Sequence, residues 1–386
     1  MPFRSLQELR LRWIPSILPN ILLHSPLPEF AFDHPKIDTD LRILELSSVG
    51  FRWNAFSGTG LRRLILRNDE NLLRLPLSPD DFLRFLEGCP ELEELCLYWQ
   101  GPTLDSDIST YTNPTKIVRL KKLTCLLILN SPPSISFILA HLDFPPSTKV
   151  KVFCELNSQM SDVSAIISPA NSPKAMMSVD NLTLAHQYGS MMDGPFQPWN
   201  GQWVQFLAIS PDAVVEMVFK PDNLSLFDNW SWFSATLFRC VPIFYAHAPL
   251  KSITIRFEYS SVTYQDWRTL LTHYSSTIEN IIIDFDYGGA PIDEGIIISF
   301  LEVLQTSGNE TGSVVCPNLR TLRLMDVVAG DTYADALTNC VRSRAERGYK
   351  LRQLSFNKPS NWYRREDRWE YPDLTEFVEK VDYREG

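Results

Sequence analysis

One short pattern recurs along this chain: an apolar residue, two variable positions, an apolar residue, one variable position and a third apolar residue. Copies start at Leu6, Leu41, Leu61, Leu92, Leu123, Val179, Leu250, Ile278, Leu319 and Leu351. The clearest read Leu-Gln-Glu-Leu-Arg-Leu from Leu6, Leu-Glu-Glu-Leu-Cys-Leu from Leu92 and Leu-Arg-Thr-Leu-Arg-Leu from Leu319. Weaker copies at Val150 and Val214 fill the two widest gaps, giving a mean spacing of about 31 residues, within the range at which self-similar segments build arrays. Apolar residues at alternate positions define a strand with one buried face. A unit of this size cannot bury that face alone, so each copy needs neighbours and the chain is constrained to stack.

Between the copies lie segments with helical apolar spacing and helix-start chemistry. Ser78-Pro79-Asp80-Asp81 supplies a capping Ser, a Pro at the first helical position and early acids; Phe82, Phe85 and Leu86 then share a face and Gly88 ends it. Thr263 with Asp266, and Thr332 with Asp335, have capping-box spacing. Further helices are expected over Ser134 to His141, Asp162 to Ile167, Phe233 to Tyr245 and Asp293 to Thr306. Residues 101 to 116, 157 to 178 and 186 to 203, rich in Pro, Ser, Gly and Asn, read as long loops, a class that is often functional. After the charged, aromatic run from Trp362 to Trp369, a short helix is expected over Asp373 to Val381. The expected fold is therefore α/β: a leucine-rich repeat solenoid, a horseshoe with parallel strands on its concave face, helices on its convex face and irregular repeats. A stacked array escapes the single-core size limit, so residues 1–356 read as one solenoid and 357–386 as its C-terminal capping segment. At the other end the pattern begins by Leu6, which leaves either an exposed first repeat or an upstream domain.

Composition narrows the function. With 44% hydrophobic and 21% charged residues the chain is built to fold. A net charge of -10 disfavours partners that must be held by clustered cations, so neither nucleic acid nor an acidic membrane surface is expected. No apolar run is long enough to cross a bilayer. Seven cysteines, unpaired in spacing and without a signal peptide ahead of them, fit a reducing compartment, cytoplasmic or nuclear. The sequons at Asn181, Asn223, Asn229 and Asn309 read in that setting as chance matches.

Two stretches, Cys89-Pro90-Glu91-Leu92-Glu93-Glu94-Leu95 and Cys316-Pro317-Asn318-Leu319-Arg320-Thr321-Leu322, have the Cys-Pro-x-Leu-x-x-Leu form common in F-box leucine-rich repeat proteins. The helix end Val341-Arg342-Ser343-Arg344, followed by Gly348 and Leu351-Arg352-Gln353-Leu354, resembles the last repeats of the large fungal set of those proteins, as does Leu41 to Asn54. The resemblance covers nearly all of the chain and implies the substrate-receiving half of a cullin-type ubiquitin ligase adaptor. No F-box itself is read here, so binding of the cullin-ligase adaptor subunit is implied only with an upstream one.

No phosphate loop, dinucleotide glycine cluster, nucleophile elbow or paired metal histidines occur, so no catalytic residue, metal or cofactor is expected. Asp284 and Asp286 end a strand as Asp-x-Asp, the form in which many glycosyltransferases hold a divalent cation. The strand pattern already explains them, and a metal-dependent enzyme of that kind is the distant alternative. His24, His34, His141, His186, His247 and His273 are scattered and read as surface or satisfied histidines. Arg342, Arg344, Arg347, Lys350 and Arg352 read as a solvated helix end, where cations offset the dipole. The open sheet face carries Arg12, Ser47, Arg67, Tyr98, Leu129, Ala185, Arg256, Asp284, Met325 and Asn357 just after the third apolar position. Of these, Arg12, Arg67, Tyr98, Arg256, Asp284, Met325 and Asn357 are the expected partner-binding residues, since Arg, Tyr and Met are enriched where proteins recognise proteins. The function expected is non-catalytic protein recognition, with a scaffold unrelated to ubiquitin as the alternative.

Overall fold

The computed structural model describes residues 6–12, 29–30, 40–51, 58–68, 78–99, 116–156, 166, 173–191, 199–221, 230–256, 262–284, 294–305, 314–325, 331–358 and 374–385. They belong to two compact units, Met1–Ser178 with Pro211–Asp222, and Val179–Ser210 with Asn223–Gly386. Residues 1–356, expected as one array, thus contribute to both. Each unit is mixed α/β with a mostly parallel sheet.

In chain order the elements begin β1 (Glu8–Arg12), β2 (Glu29–Phe30), β3 (Ile43–Ser47), β4 (Gly50–Phe51), β5 (Arg63–Arg67), α1 (Pro79–Glu87) and β6 (Glu94–Tyr98). They continue β7 (Val118–Arg119), β8 (Cys125–Asn130), α2 (Pro132–His141), β9 (Leu142–Asp143), β10 (Lys149–Leu156), α3 (Lys174–Met177), β11 (Asn181–Met191), β12 (Trp199–Ile209) and β13 (Val214–Pro221). The remainder is α4 (Trp230–Phe244), β14 (Ser252–Arg256), α5 (Tyr264–His273), β15 (Asn280–Asp284), α6 (Glu294–Gln305), β16 (Thr321–Met325), α7 (Asp331–Glu346), β17 (Leu351–Lys358) and β18 (Val378–Glu385).

In the first unit β1, β3, β5, β6, β8, β10 and β13 pair in that order, all parallel. The register superposes the repeats: Leu9, Leu44, Leu64, Leu95, Leu126, Val150 and Val215 form one row, and Leu11, Leu46, Leu66, Leu97, Ile128, Val152 and Met217 the next. From β3 onward every member of both rows is buried. Parallel pairing also continues one residue before each strand, where Arg42, Arg62, Glu93 and Thr124 each donate a backbone N–H to the residue at the same position one repeat earlier. Helix α1 starts as its sequence dictates, with Ser78 Oγ accepting from Asp81 N at 3.1 Å and Gly88 closing the end. Past the strands the turns are irregular: Ser48 and Trp99 both take positive φ, a conformation costing a side-chain-bearing residue about 1 kcal/mol.

In the second unit the order is β12, β11, β14, β15, β16, β17, β18, antiparallel between β11 and β12 and parallel elsewhere. Residues 186–203 were expected as a loop, yet β11 and β12 run through most of them as a long hairpin, with Gln187 opposite Trp203. The alternation is present, Leu182, Leu184 and His186 being buried on one side and Val204, Phe206 and Ala208 opposite, but Gly189 and Ser190 on β11 and Asn200 and Gly201 between the two tryptophans mask it. The C-terminal helix expected over Asp373 to Val381 is a turn followed by β18, which pairs with β17 from Leu351↔Val378 to Lys358↔Glu385. Leu374, Phe377, Val378 and Val381 fit helical spacing, but Val378, Val381 and Tyr383 pair with Leu351, Leu354 and Phe356 in the strand pattern of the earlier copies. Helix α7 starts at Asp331, so Thr332 lies inside it instead of capping it. The helix expected over Asp162 to Ile167 and the loop over 101–116 lie outside the described residues, apart from Ile166 and Lys116.

Helices α4 to α7 pack in succession, α4 to α6 through a file of aromatic rings. Trp267 of α5 stands edge-on between Phe238 of α4, 5.0 Å away, and Phe300 of α6, 4.9 Å away. Each helix end is also satisfied by the next repeat, which answers the free carbonyls every helix leaves. Tyr274 donates its hydroxyl to the carbonyls of Val241 (3.2 Å) and Tyr245 (3.0 Å) at the end of α4. Asn318 donates to Ser276 O at 2.8 Å, after α5. Arg344 of α7 donates to Leu304 O of α6 at 3.4 Å, and to Val315 O and Cys316 O at 2.8 Å each. The expectation of a solvated helix end therefore fails at Arg344, which is buried; its charge is answered by backbone carbonyls. Arg342, Arg347, Lys350 and Arg352 are exposed.

At the start of α5 the expected capping box forms: Thr263 Oγ1 accepts from Asp266 N while Asp266 accepts from Thr263 N. Arg239 of α4 adds a two-pronged contact to the same carboxylate at 2.7 and 3.2 Å. Burial alone would raise the pKa of Asp266, but the bonds from Arg239 and Thr263 outweigh it and hold the carboxyl below its usual range. Stability from a depressed carboxylate is present above its unfolded pKa and is lost as pH falls through the folded one. Asp266→Asn should therefore lower the melting temperature at neutral pH and flatten its fall on the acid side. A thermal melt series whose acid limb is as steep in the variant as in the parent would refute this account.

Candidate functional site

Strand residues between the buried rows point to the opposite side of each sheet. In the first unit this outward side places Arg12, Ser47, Arg67, Tyr98 and Leu129 in one row on β1, β3, β5, β6 and β8. It brings together three of the expected residues, since Arg12, Arg67 and Tyr98 share that row. The guanidinium of Arg67 lies over the Tyr98 ring at 5.0 Å and reaches Glu45 at 3.5 Å. Arg10 also contacts Glu45, at 3.6 Å, and Arg63 meets Glu94 at 2.9 Å. Glu94 in turn accepts from the Cys96 thiol at 3.4 Å. Arg10, Glu45, Arg63 and Glu94 were not singled out from the sequence, although the same alternation puts them outward at the second and fourth positions after the first apolar residue.

The row was expected to be open throughout, and it is not. Tyr98 is 7% exposed, Leu129 2%, and the residues that continue the row, Phe153 and Val218, 5% and 0%. Ile65 and Cys96, one position back on the outward side, are buried too. Apolar side chains on this side withdraw from water as strongly as those facing the helices. Within this row accessible charge is left on β1 and β5, where Arg12 is exposed and Arg67 half-buried; further along the same side Lys149 is exposed and Lys151 half-buried. Burial, followed by the neighbouring Cys96, pushes the Tyr98 phenol above its usual range, against the pull of Arg67. It stays a neutral hydrogen-bonding group.

In the second unit Arg256 and Asp284 are neighbours on β14 and β15 and pair at 3.3 Å. Met325 follows on β16 but is buried, with Arg323 Nε 3.0 Å from its sulfur. Asn357 lies on β17, its side chain outside the described set. The first outward row, Asn181, Ser252, Asn280, Thr321 and Gln353, carries hydroxyl and amide groups. Gln353 donates to Asp382 of β18 at 2.6 Å, and Lys380 reaches the same carboxylate at 2.9 Å. Asp382 was missed because its segment was read as helical. Ala185, noted as an outward position, is buried.

Chemistry at other residues is subdued. Asp284 is held by Arg256, and Asp286 lies outside the described residues. Among the described residues no group of three or more His, Cys, Asp or Glu is placed to hold a metal. Burial pushes the thiols of Cys89, Cys316 and Cys340 up to about 12, and burial with Glu94 does the same to Cys96, so all four are protonated at neutral pH. His141 Nδ1 lies 2.9 Å from the Phe137 carbonyl and His273 Nε2 3.1 Å from that of Ala246. Among the described residues no helix is long and apolar enough to cross a membrane. No protein-family model, curated protein or solved structure matches the chain.

Proposed function

We propose that the chain is a leucine-rich repeat protein that acts by recognising another protein on the outward side of its sheets, as the substrate-receiving half of an F-box adaptor does, and that it performs no covalent chemistry itself. The repeat reading is supported by the parallel register, which superposes successive copies of the pattern residue on residue and repeats the same backbone bond one position before each strand. The single observation that carries the recognition role is the outward side of β1, β3 and β5, where Arg12 is exposed and Arg67, in the same row, is half-buried over the buried Tyr98 ring. Arg and Tyr are enriched where binding energy concentrates, and the planar guanidinium of Arg67, already oriented by Tyr98 and Glu45, has less freedom left to lose when it meets a partner's carboxylate. The partner surface that fits Arg12 and Arg67 is acidic.

The test is affinity capture with quantitative mass spectrometry, comparing the parent chain with Arg12→Glu/Arg67→Glu and with Lys121→Glu, an exposed change elsewhere on the same unit. A partner retained by the parent and by Lys121→Glu should be lost from the double variant, with affinity lower by about tenfold or more. Equal retention by all three would remove the proposed face. Mixing with the purified cullin-ligase adaptor subunit separates the two halves of the reading: a partner bound without that subunit leaves recognition standing and removes the ligase role.

A further inference from the structure

β1 is an end strand that, among the described residues, pairs with β3 alone. Its pattern residues Leu6, Leu9 and Leu11 are half-buried, whereas Leu41, Leu44 and Leu46 one strand further in are 2%, 0% and 2% exposed. On the other side Glu8 and Arg10 keep 46% and 59% of their side-chain surface in water. A strand with half-exposed leucines and one unpaired backbone edge is a template for a further strand.

The charge order says which strand. In antiparallel pairing, residues directly opposite project to the same side of the sheet. Laid antiparallel on its own copy about Arg10, β1 sets Glu8 opposite Arg12 twice and Leu9 opposite Leu11 twice, so opposite charges meet outside and leucines meet inside. Arg10 alone faces itself, and its guanidinium already contacts both Glu8 and Glu45. Moving the axis to Leu11 sets Arg10 opposite Arg12; moving it to Leu9 sets Gln7 opposite Leu11; any half-step sets leucines against arginines. One register satisfies both sides. The end strand β18 of the second unit has no such order, since the corresponding register about Asp382 sets Lys380 opposite Arg384. We infer that this chain forms a two-fold homodimer through antiparallel β1 to β1 pairing, with Glu8 and Arg12 of opposite copies as its two ion pairs. A two-fold contact of this kind uses up the edge of both copies and closes, so it ends at the dimer.

Sedimentation velocity on the full chain tests this. The parent should pass from monomer to dimer as concentration rises, and more weakly at high salt. Glu8→Arg and Arg12→Glu each turn both ion pairs into like-charge pairs and should weaken dimerisation on the order of tenfold or more. The first variant carries arginine at both positions and the second glutamate at both. Mixed one to one, they therefore restore two opposite-charge contacts, and should dimerise with each other as the parent does with itself. That recovery also shows that neither variant is misfolded. A parent that stays monomeric at every concentration overturns the inference, as does a dimer indifferent to both changes, or a mixture that fails to recover.

Discussion

Arg344→Met is expected to lower the stability of the second unit by about 3 kcal/mol, whereas Arg342→Met two residues away changes it by less than about 1 kcal/mol. The two arginines share a helix end and differ in what they touch. Arg342 is exposed over the Phe377 ring at 5.3 Å. Arg344 is 1% exposed and donates to the carbonyls of Leu304, Val315 and Cys316. Methionine conserves most of the volume and leaves those carbonyls buried without a donor, each costing about 1–3 kcal/mol. One of them belongs to Cys316, whose φ of 51° is a conformation held by its surroundings. Burial lowers the Arg344 pKa, but a guanidinium remains charged at neutral pH, so the donors are permanent. Lysine, with a single terminal nitrogen, cannot span two carbonyls as the guanidinium does, so Arg344→Lys should recover only part of the loss. Urea unfolding followed by circular dichroism measures all three variants. A midpoint for Arg344→Met equal to that of the parent would show that the carbonyls find other donors and that the clamp is dispensable.

Trp267→Ala is expected to cost about 4 kcal/mol, the range for emptying a buried aromatic site. Trp267 is 1% exposed, and its edge contacts with Phe238 and Phe300 join three successive helices. Truncation removes both ring contacts and opens a cavity at the centre of the helical layer. Trp267→Phe should cost less than half as much. A benzyl ring keeps one edge contact, and no hydrogen bond is lost, because the indole N–H has no partner among the described residues. Differential scanning calorimetry on the pair checks both magnitudes. Equal losses in the two variants would mean that the indole N–H, and not ring packing, governs the site.

The parts of the fold written in the sequence are those controlled by nearest neighbours along the chain. Alternating leucines and isoleucines announced β3, β5, β6, β14, β15 and β16, and the caps at Ser78 and Thr263 placed α1 and α5 within a residue. Strand β12 was missed because the glycine and asparagine beside Trp203 look like loop chemistry until an antiparallel neighbour supplies their backbone partners. Strand β18 was missed because Leu374, Phe377, Val378 and Val381 fit helical spacing while Val378, Val381 and Tyr383 fit the repeat pattern, and only pairing with β17 decides. The two Cys-Pro stretches, alike as text, also differ in space. Cys89 donates its thiol to Phe85 of its own helix at 3.3 Å, whereas Cys316 takes a positive φ and donates to Leu271 of α5 at 3.6 Å.

The candidate face divides in the same way. The sequence named Arg12, Arg67, Tyr98, Arg256, Asp284, Met325 and Asn357 as outward because side-chain direction alternates by covalent geometry. It could not say that Tyr98, Leu129 and Met325 are shut away from solvent, nor that Arg67 is turned onto Tyr98 and Asp284 onto Arg256. Those outcomes depend on which side chain stands on the adjacent strand, tens of residues away. By itself, then, the sequence determined the strand period, which residues form the inward rows and the starts of α1 and α5, since each follows from local propensity and the cost of wetting leucine. Tertiary structure alone decided the antiparallel hairpin, the carbonyl clamp of Arg344 and how much of the outward side stays accessible. Hydrogen-bond partners and burial belong to pairs of segments, and no single segment encodes its neighbour.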